Sequence, residues 1–220
     1  SDEQFRYVRR VTLAAQGAST AAAIIAAVQL VPGVTSLSFL ENVASTTETI
    51  DGVVMVSHSI YACVQGGTDL AVATAMQSKK SAGASYNNGA SMTPISQDVT
   101  VPYSGQVIDV LFDRPDDIEI GVAISVKVTQ PVQDPTTTVQ QAILNYANGL
   151  LDGFPGLVVG ASVSPWEIAG SVTSQYPGIY VQSLQIKNIT ASGSYQYTEI
   201  AISPWQLAQI AQGDIVVTVL

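Results

Sequence analysis

The sequence predicts an α/β chain of the α+β kind. It reads as two related lobes, each with two helices, a Pro-Gly turn, a small mixed sheet and a further capped helix. Three observations carry that expectation. Residues 19–42 (STAAAIIAAVQLVPGVTSLSFLEN) hold a helix-like run, a Pro-Gly pair and a strand-like run, and the same order returns at 164–188 (SPWEIAGSVTSQYPGIYVQSLQIKN). In each copy a serine, Ser19 or Ser164, stands 13 residues ahead of the proline, Pro32 or Pro177. Elsewhere, strictly alternating runs such as 118–128 read as strands with one buried face.

Composition narrows the partners. Of 220 residues, 47% are hydrophobic, enough to build a core, but only 11% are charged, less than half the usual share of about 25%. Surfaces so poor in charge suit a polar uncharged exterior or faces covered by partners. The net charge is −9 with 8 basic residues, which disfavours nucleic-acid binding, since that needs a basic stripe. One cysteine, Cys63, excludes an internal disulfide, a zinc ribbon and a CxxC redox pair. Arg9-Arg10 ahead of the apolar run 21–31 resembles an export signal. The run is shorter than the ~20 residues of a membrane span, contains Gln29 and closes on a helix stop. Ile24, Ile25, Val28 and Val31 share one helical face. A core helix is the reading, and no membrane insertion is expected.

Taken in order, Asp2 to Gln16 reads as a helix with Phe5, Val8, Thr12 and Ala15 on one face and Asp2 and Glu3 at its positive end. Gly17 ends it. Ser19 or Thr20 caps the next helix, which stops at Pro32-Gly33 and gives way to a strand running to about Val43. Thr-rich 44–52 reads as a loop. Residues 53–64 read as one strand with Val54, Val56, His58, Ile60, Ala62 and Val64 on a single face. Gly66-Gly67 breaks it, and Thr68 caps a helix from Asp69 to about Lys80. Gly-, Ser- and Asn-rich 83–98 reads as a long loop insertion. Val99 to Tyr103 and Gln106 to Asp113 then form a hairpin with Ile108, Val110 and Phe112 inward.

Arg114-Pro115-Asp116-Asp117 marks the expected boundary between a first lobe, 1–114, and a second, 115–220. After the strand 118–128 and a turn at Pro131 to Pro135 comes an amphipathic helix. It carries Val139, Ala142, Ile143, Tyr146, Ala147, Leu150 and Leu151, and Gly153 closes it. Ser164-Pro165 supplies an N-cap and a proline at the first helical position. The strand after Pro177-Gly178 slips its alternation once, near Gln182-Ser183, as a bulge would make it do. Tyr195 to Ile202 reads as a strand, Ser203-Pro204 as the start of a short helix with Trp205, Leu207, Ala208 and Ile210, and Ile215 to Leu220 as the last strand.

The residues with chemical potential do not assemble into a catalytic pattern. His58 is the one histidine, and it lacks an elbow serine. Its neighbours Ser57 and Ser59 would point to the opposite face of a strand, and Asp51 has no telling spacing. A histidine partly buried on an apolar face is the simpler reading. Asp113, Asp116, Asp117 and Glu119 form an acidic cluster without EF-hand spacing, and it reads as a solvated turn. Gly66-Gly67-Thr68-Asp69 opens a helix as an anion site does, but no P-loop lysine is present and Asp69 would repel phosphate. It reads as a tight turn with an N-cap. Asn188-Ile189-Thr190 is a formal glycosylation sequon, read as accidental. Cys63 reads as a structural thiol. Trp166 and Trp205 both follow Ser-Pro and read as packing helix onto sheet. No catalytic, cofactor-binding or metal-binding residue is assigned, and the chain reads as an assembly protein rather than an enzyme.

Several of these runs together resemble a known family. They are Pro32-Gly33-Val34, Glu41-Asn42, Gly52, His58-Ser59-Ile60, Val64-Gln65-Gly66-Gly67 and Asp69-Leu70-Ala71, followed by Lys79-Lys80 with Gly83 and by Phe112-Asp113-Arg114-Pro115. Ser164, Pro177-Gly178-Ile179, Trp205-Gln206-Leu207-Ala208 and Gly213-Asp214-Ile215 extend the pattern into the second half, and Asp2-Glu3-Gln4-Phe5-Arg6 opens it. The pattern is similar to the baseplate J-like family of contractile-tailed phages, in its Mu-like tail protein branch. The resemblance implies a structural component of the baseplate wedge, made in the host cytoplasm and located in the virion tail. Such a protein joins neighbouring subunits into a ring and rearranges when the sheath contracts. It implies partners in a second copy of the chain and in other wedge or hub proteins, no cofactor and no catalytic residues. It also implies that a further domain precedes this region in a longer chain. The rival readings are a tail-associated hydrolase using His58 or the Asp113–Glu119 cluster, and a receptor- or glycan-binding module using Trp166, Trp205 and Tyr180.

Overall fold

In the computed structural model, which describes residues 2–15, 17, 19–102 and 104–220, two compact units form. One comprises Ser1–Asp116 with Ser203–Gln206, the other Asp117–Ile202 with Leu207–Leu220. Helices and strands mix in both, so the class is α+β. Among the described residues no helix is long and apolar enough to cross a membrane.

The first unit opens with helix α1 (Asp2–Ala15), of which the side chains of Gln4, Phe5, Arg6, Val8, Arg9, Thr12 and Leu13 are described. Gln16 and the side chains of Asp2, Glu3 and Ala15 lie outside the described residues. Phe5, Val8 and Thr12 are exposed. Helix α2 (Ala21–Gln29) begins where the Thr20 hydroxyl accepts from the Ala23 amide at 3.2 Å. That contact satisfies one of the four free amides of a helix start. Past Pro32-Gly33, strand β1 (Val34–Asn42) pairs antiparallel with β4 (Ser59–Gly66). The far edge of β4 is taken in succession by β5 (Ser85–Asn87) and β7 (Val107–Arg114), both parallel to it. Strand β6 (Thr93–Thr100) closes the sheet against β7. Helices α2 and α3 (Asp69–Lys79) bury one sheet face around Ile24, Val28, Val64, Val72, Met76 and Phe112.

The structure corrects three expectations here. Residues 44–52 contain strand β2 (Glu48–Ile50), which folds onto β3 (Val53–Met55) through Asp51-Gly52, at φ +48° and +86°. Two successive left-handed residues make the turn that fits strand twist, and Asp-Gly is its usual sequence. The expected single strand 53–64 is two strands broken at His58, which takes φ +50°. The break inverts the pattern: Val53 and Met55 are buried while Val54 and Val56 are exposed. Strand β4 is buried on both faces from Ser59 to Val64, so it has no alternation to display. The expected loop 83–98 holds β5 and the first six residues of β6. The hairpin expectation near 99–113 holds otherwise; Tyr103 lies outside the described residues.

Close backbone approach explains the Gly-Gly pair. Gly66 sits at φ +79°, and a Cβ built on it would lie 2.0 Å from the Gly33 carbonyl oxygen. The Pro-Gly turn that aims β1 and the turn that ends β4 therefore fit together only without side chains.

The second unit is built on β8 (Asp116–Val128). Strand β9 (Ile179–Asn188) pairs antiparallel with it. On its other edge lie β10 (Gln206–Gln209) and the parallel β11 (Ile215–Val219). The bulge expected in β9 is present: Ser183 opposes Ser125 and Val181 opposes Val126, leaving Gln182 unmatched. Helices α4 (Pro135–Ala147) and α5 (Pro165–Gln175) cover one face over Ile120, Val122, Ile124, Ile143, Ile168 and Val172. Asp134, at φ +49°, caps α4 by accepting from the Thr137 amide and hydroxyl at 3.2 and 2.6 Å, and those donors hold its carboxyl below the usual range. Tyr146 donates to Glu167 at 2.9 Å and ties α4 to α5.

Three further expectations change in this unit. Helix α4 ends at Ala147, and Asn148 with Gly149, at φ +65°, turns the chain, so Leu150 lies outside the helix and exposed. Residues 195–202 form only isolated bridges, Ile186 with Gln196 and Val163 with Ile200. Ser203-Pro204 starts no helix; Leu207 and Ala208 are buried as part of strand β10. In both units the strand after Pro-Gly lies antiparallel to a central strand whose other edge has a parallel partner. The chain order differs, since β4 follows β1 whereas β8 precedes β9.

Replacing Gly66 with Ala is expected to cost about 3 kcal/mol or more, because the clash is with backbone at a left-handed position. Gly213→Ala, with open space around the new methyl, is expected to cost less than about 1 kcal/mol. Urea denaturation midpoints of the two variants check the contrast.

Candidate functional site

The densest polar cluster lies at the end of β7, where three of four consecutive side chains are tied down. Asp113 is fully buried. Its carboxylate accepts from the Tyr61 hydroxyl at 3.0 Å and from the amides of Gly89, Ala90 and Ser91 at 2.8, 2.9 and 3.0 Å. Asp116 continues the series by accepting from the Met92 amide at 3.0 and 3.2 Å. Four successive amides of the segment between β5 and β6 are thus held by two carboxylates. A buried charge is tolerated when its lone pairs are met in this way.

Arg114 points to the opposite side of β7. Its guanidinium donates to the carbonyls of Val64, Gly66 and Gly67 at 2.8, 2.6 and 2.9 Å and to Asp69 at 2.6 Å. It also stands 5.1 Å from the centre of the Phe112 ring. One planar fork thereby gathers the carbonyls of the β4–α3 turn. The acidic cluster is not the solvated turn expected. Asp113 and Asp116 hold backbone, and Asp117 accepts from the Gln209 side-chain amide at 2.6 Å. Among the described residues no three His, Cys, Asp or Glu side chains gather to hold a metal.

Gly66-Gly67-Thr68-Asp69 is the tight turn and N-cap expected. Thr68 accepts from the Ala71 amide at 3.4 Å, and Asp69 is occupied by Arg114. In the sequon, Asn188 accepts from the Ala191 amide and Thr190 from the Glu119 amide, each at 2.9 Å, so both side chains hold a turn. Cys63 is buried beside Asp113 in the β4–β7 register. Burial, then the Asp113 carboxylate, pushes its thiol up to about 12. Burial, then neighbouring Cys63 and Asp113, raises the Tyr61 phenol.

His58 is exposed at the break between β3 and β4, not partly buried on an apolar face. Its amide donates to Ala44 and its carbonyl accepts from Ser85. It lines a shallow cleft of about 220 Å³ with Glu41, Asn42 and Ser81. Ser59 also borders the cleft, but its hydroxyl is buried and donates to the Val56 carbonyl at 2.7 Å. Glu41 is the acid that sequence spacing did not bring to His58; the β1–β4 register does so by setting it opposite Ile60. Buried Asn42, also missed, donates to the carbonyls of Thr46, Met55 and Val56 and accepts from the Ala44 amide.

The tryptophans part company. Trp205, on no helix, lays its ring over the β2–β3 turn, 3.1 Å from where a Gly52 Cβ would be. Trp166 is 71% exposed at the start of α5. It lines an apolar groove of about 510 Å³ with Ala169, Gly170 and Thr173 of α5 and with Val181 and Gln182 of β9. Tyr180 is exposed as well, but it does not line that groove.

No model of a known protein family matches the chain, and no curated protein matches it.

Asp113→Ala leaves three amides, the Ser91 amide buried among them, and a buried phenol without their acceptor and is expected to cost about 3–5 kcal/mol, with faster amide exchange at Gly89, Ala90 and Ser91. His58→Ala is expected to change stability by less than about 1 kcal/mol. Chemical denaturation and hydrogen exchange distinguish the two. Because the Cys63 thiol titrates at about 12 in the fold and about 9 unfolded, the unfolded state loses its proton first. Stability is therefore expected to fall as pH rises past 9 and to go on falling toward 12. Cys63→Ala flattens that slope in urea titrations run across the range.

Proposed function

We propose that this chain is a non-enzymatic assembly protein, a structural component of a contractile phage tail baseplate wedge. It joins neighbouring subunits into the baseplate ring and rearranges on sheath contraction. One observation carries the reading. The residues that bear the family resemblance are engaged in building the framework: Gly33 meets Gly66, Arg114 clasps the Gly66-to-Asp69 turn, Asp113 holds the segment at 89–91, and Asn42 holds the loop before β2. Their polar atoms are occupied by the chain itself. Low charge and exposed apolar side chains on α1, α5 and β11 add docking surface. Its location in this reading is the virion tail.

Exposed Trp166 favours a second reading, a receptor- or glycan-binding tail module, since an indole bordering an apolar groove can stack on a sugar ring. The two readings differ in what they bind. Under the assembly reading, the purified chain and a longer form are expected to associate with themselves and with wedge or hub proteins in light scattering and co-purification. A strictly monomeric chain that binds none of them overturns it. Under the second reading, Trp166→Ala abolishes a glycan-induced change in tryptophan fluorescence and leaves association with tail proteins unchanged.

A further inference from the structure

The two outer strands of the first unit's sheet differ in how they meet solvent. Strand β6 carries Pro94, which has no amide to donate, and Asp98, set directly opposite Asp109 of β7. Proline and charge of this kind blunt an edge against further pairing. Strand β1, at the other edge, has neither from Val34 to Leu40, and Leu37, Phe39 and Leu40 are half-buried along it. Which of its backbone groups face outward follows from the ladder. On the far side of β4 the His58 carbonyl accepts from the Ser85 amide, and the Val64 carbonyl accepts from Arg114. Ile60, Ala62 and Val64 therefore turn their backbone groups away from β1, while Tyr61 and Cys63 turn theirs toward it. The partners of those two, Leu40 and Ser38, face β4. That leaves the amides and carbonyls of Leu37, Phe39 and Glu41 pointing outward, and none of them has a hydrogen-bond partner among the described residues.

We propose that the outer edge of β1, from Leu37 to Glu41, receives an extended segment of another protein as a further strand of the sheet. The edge itself selects the class of occupant. Amides and carbonyls repeating at every second residue are met by a polypeptide in extended conformation, and not by a helix, a sugar or a lipid, whose polar groups do not repeat at that spacing. Charge then selects among extended segments. Leu37 and Phe39 pack on the helix side of the sheet against the core that holds Val64, Val72 and Phe112, so the occupant's residues opposite them are apolar or β-branched. Glu41 ends the edge with a carboxylate that has no ion pair among the described residues, and it borders the cleft shared with His58 and Ser81. A lysine or arginine opposite Glu41 meets that charge and has the cleft for its side chain. A second copy of this chain offers no such segment. Its eight basic residues lie on α1, at the end of α3, on the inner strands β7 and β8, and on β9, where the Lys187 ammonium stands 4.7 Å from the centre of the Tyr195 ring. The strand addition names a docking edge and a partner chemistry within the assembly reading and rests on that reading for its biological role.

Amide hydrogen exchange of the whole chain, read by NMR, tests it with the blocked peptide TVTVTK as probe. At about 5 mM the peptide is expected to slow exchange at Leu37, Phe39 and Glu41 at least about fivefold and to leave the amides of β6 unchanged. Glu41→Lys is expected to lose most of that protection with TVTVTK and to regain it with TVTVTE, with far-UV circular dichroism unchanged. Absence of protection with both peptides overturns the proposal, as does protection spread equally over β1 and β6. Protection of the same three amides in the chain alone, rising with its own concentration, gives the edge to a second copy and also overturns it. A chain that ignores the peptides yet co-purifies with wedge or hub proteins overturns the strand addition and leaves the assembly reading standing. One that takes TVTVTK at β1 but binds no tail protein upholds the edge site and overturns the assembly reading.

Discussion

A carboxylate buried in the first unit has to be met by donors, and much of that unit's layout follows from how Asp113 is met. Leaving such a charge unpaired costs several kcal/mol. Four donors converge on it: the phenol of Tyr61 from β4 and three successive amides of residues 89–91. The segment between β5 and β6 is thereby drawn over the face of the sheet that α2 and α3 do not cover. Strand β4 becomes buried on both faces as a result, and Cys63 is sealed in beside the carboxylate.

Arg114, the next residue along, does the complementary task on the other side of β7. It gathers carbonyls that the turn after β4 leaves without partners and closes on Asp69 at the start of α3. The turn itself exists because Gly33 and Gly66 approach more closely than any side chain would allow. Alternation along a strand puts Asp113 and Arg114 on opposite faces, so two adjacent residues of opposite charge organise two different layers. Among the described residues no buried side-chain nitrogen or oxygen lacks a hydrogen bond, as a fully satisfied polar network requires.

This arrangement bears on function through what it leaves available. Asp113, Asp116 and the Gly66-to-Asp69 turn, which in another setting could hold a metal or bind an anion, are engaged in holding the fold together. What faces outward is poor in charge and locally apolar: the free side of α1, the groove beneath Trp166 and the outer residues of β11. Non-directional apolar contact and strand edges are the means by which subunits associate, which is the basis of the assembly reading.

Elements whose signal is local were legible in the sequence. Thr20 and Thr68 cap helices, Pro-Gly ends α2, Gln182 breaks the alternation of β9, and the period of two along 118–128 marks β8. Each depends on sterics or hydrogen bonds within a few residues. The sequence by itself therefore determined the α+β class, the helices and the central strand of the second unit. Tertiary structure decided the remainder. It buried β4 on both faces and erased its period, broke the run at His58, and turned the residues after Ser203 into β10 because β8 offered an open edge. It also converted the acidic turn into an anchor, because the amides that meet Asp113 lie 22–24 residues away in the chain. Contacts between residues that far apart leave no periodicity for a sequence to display.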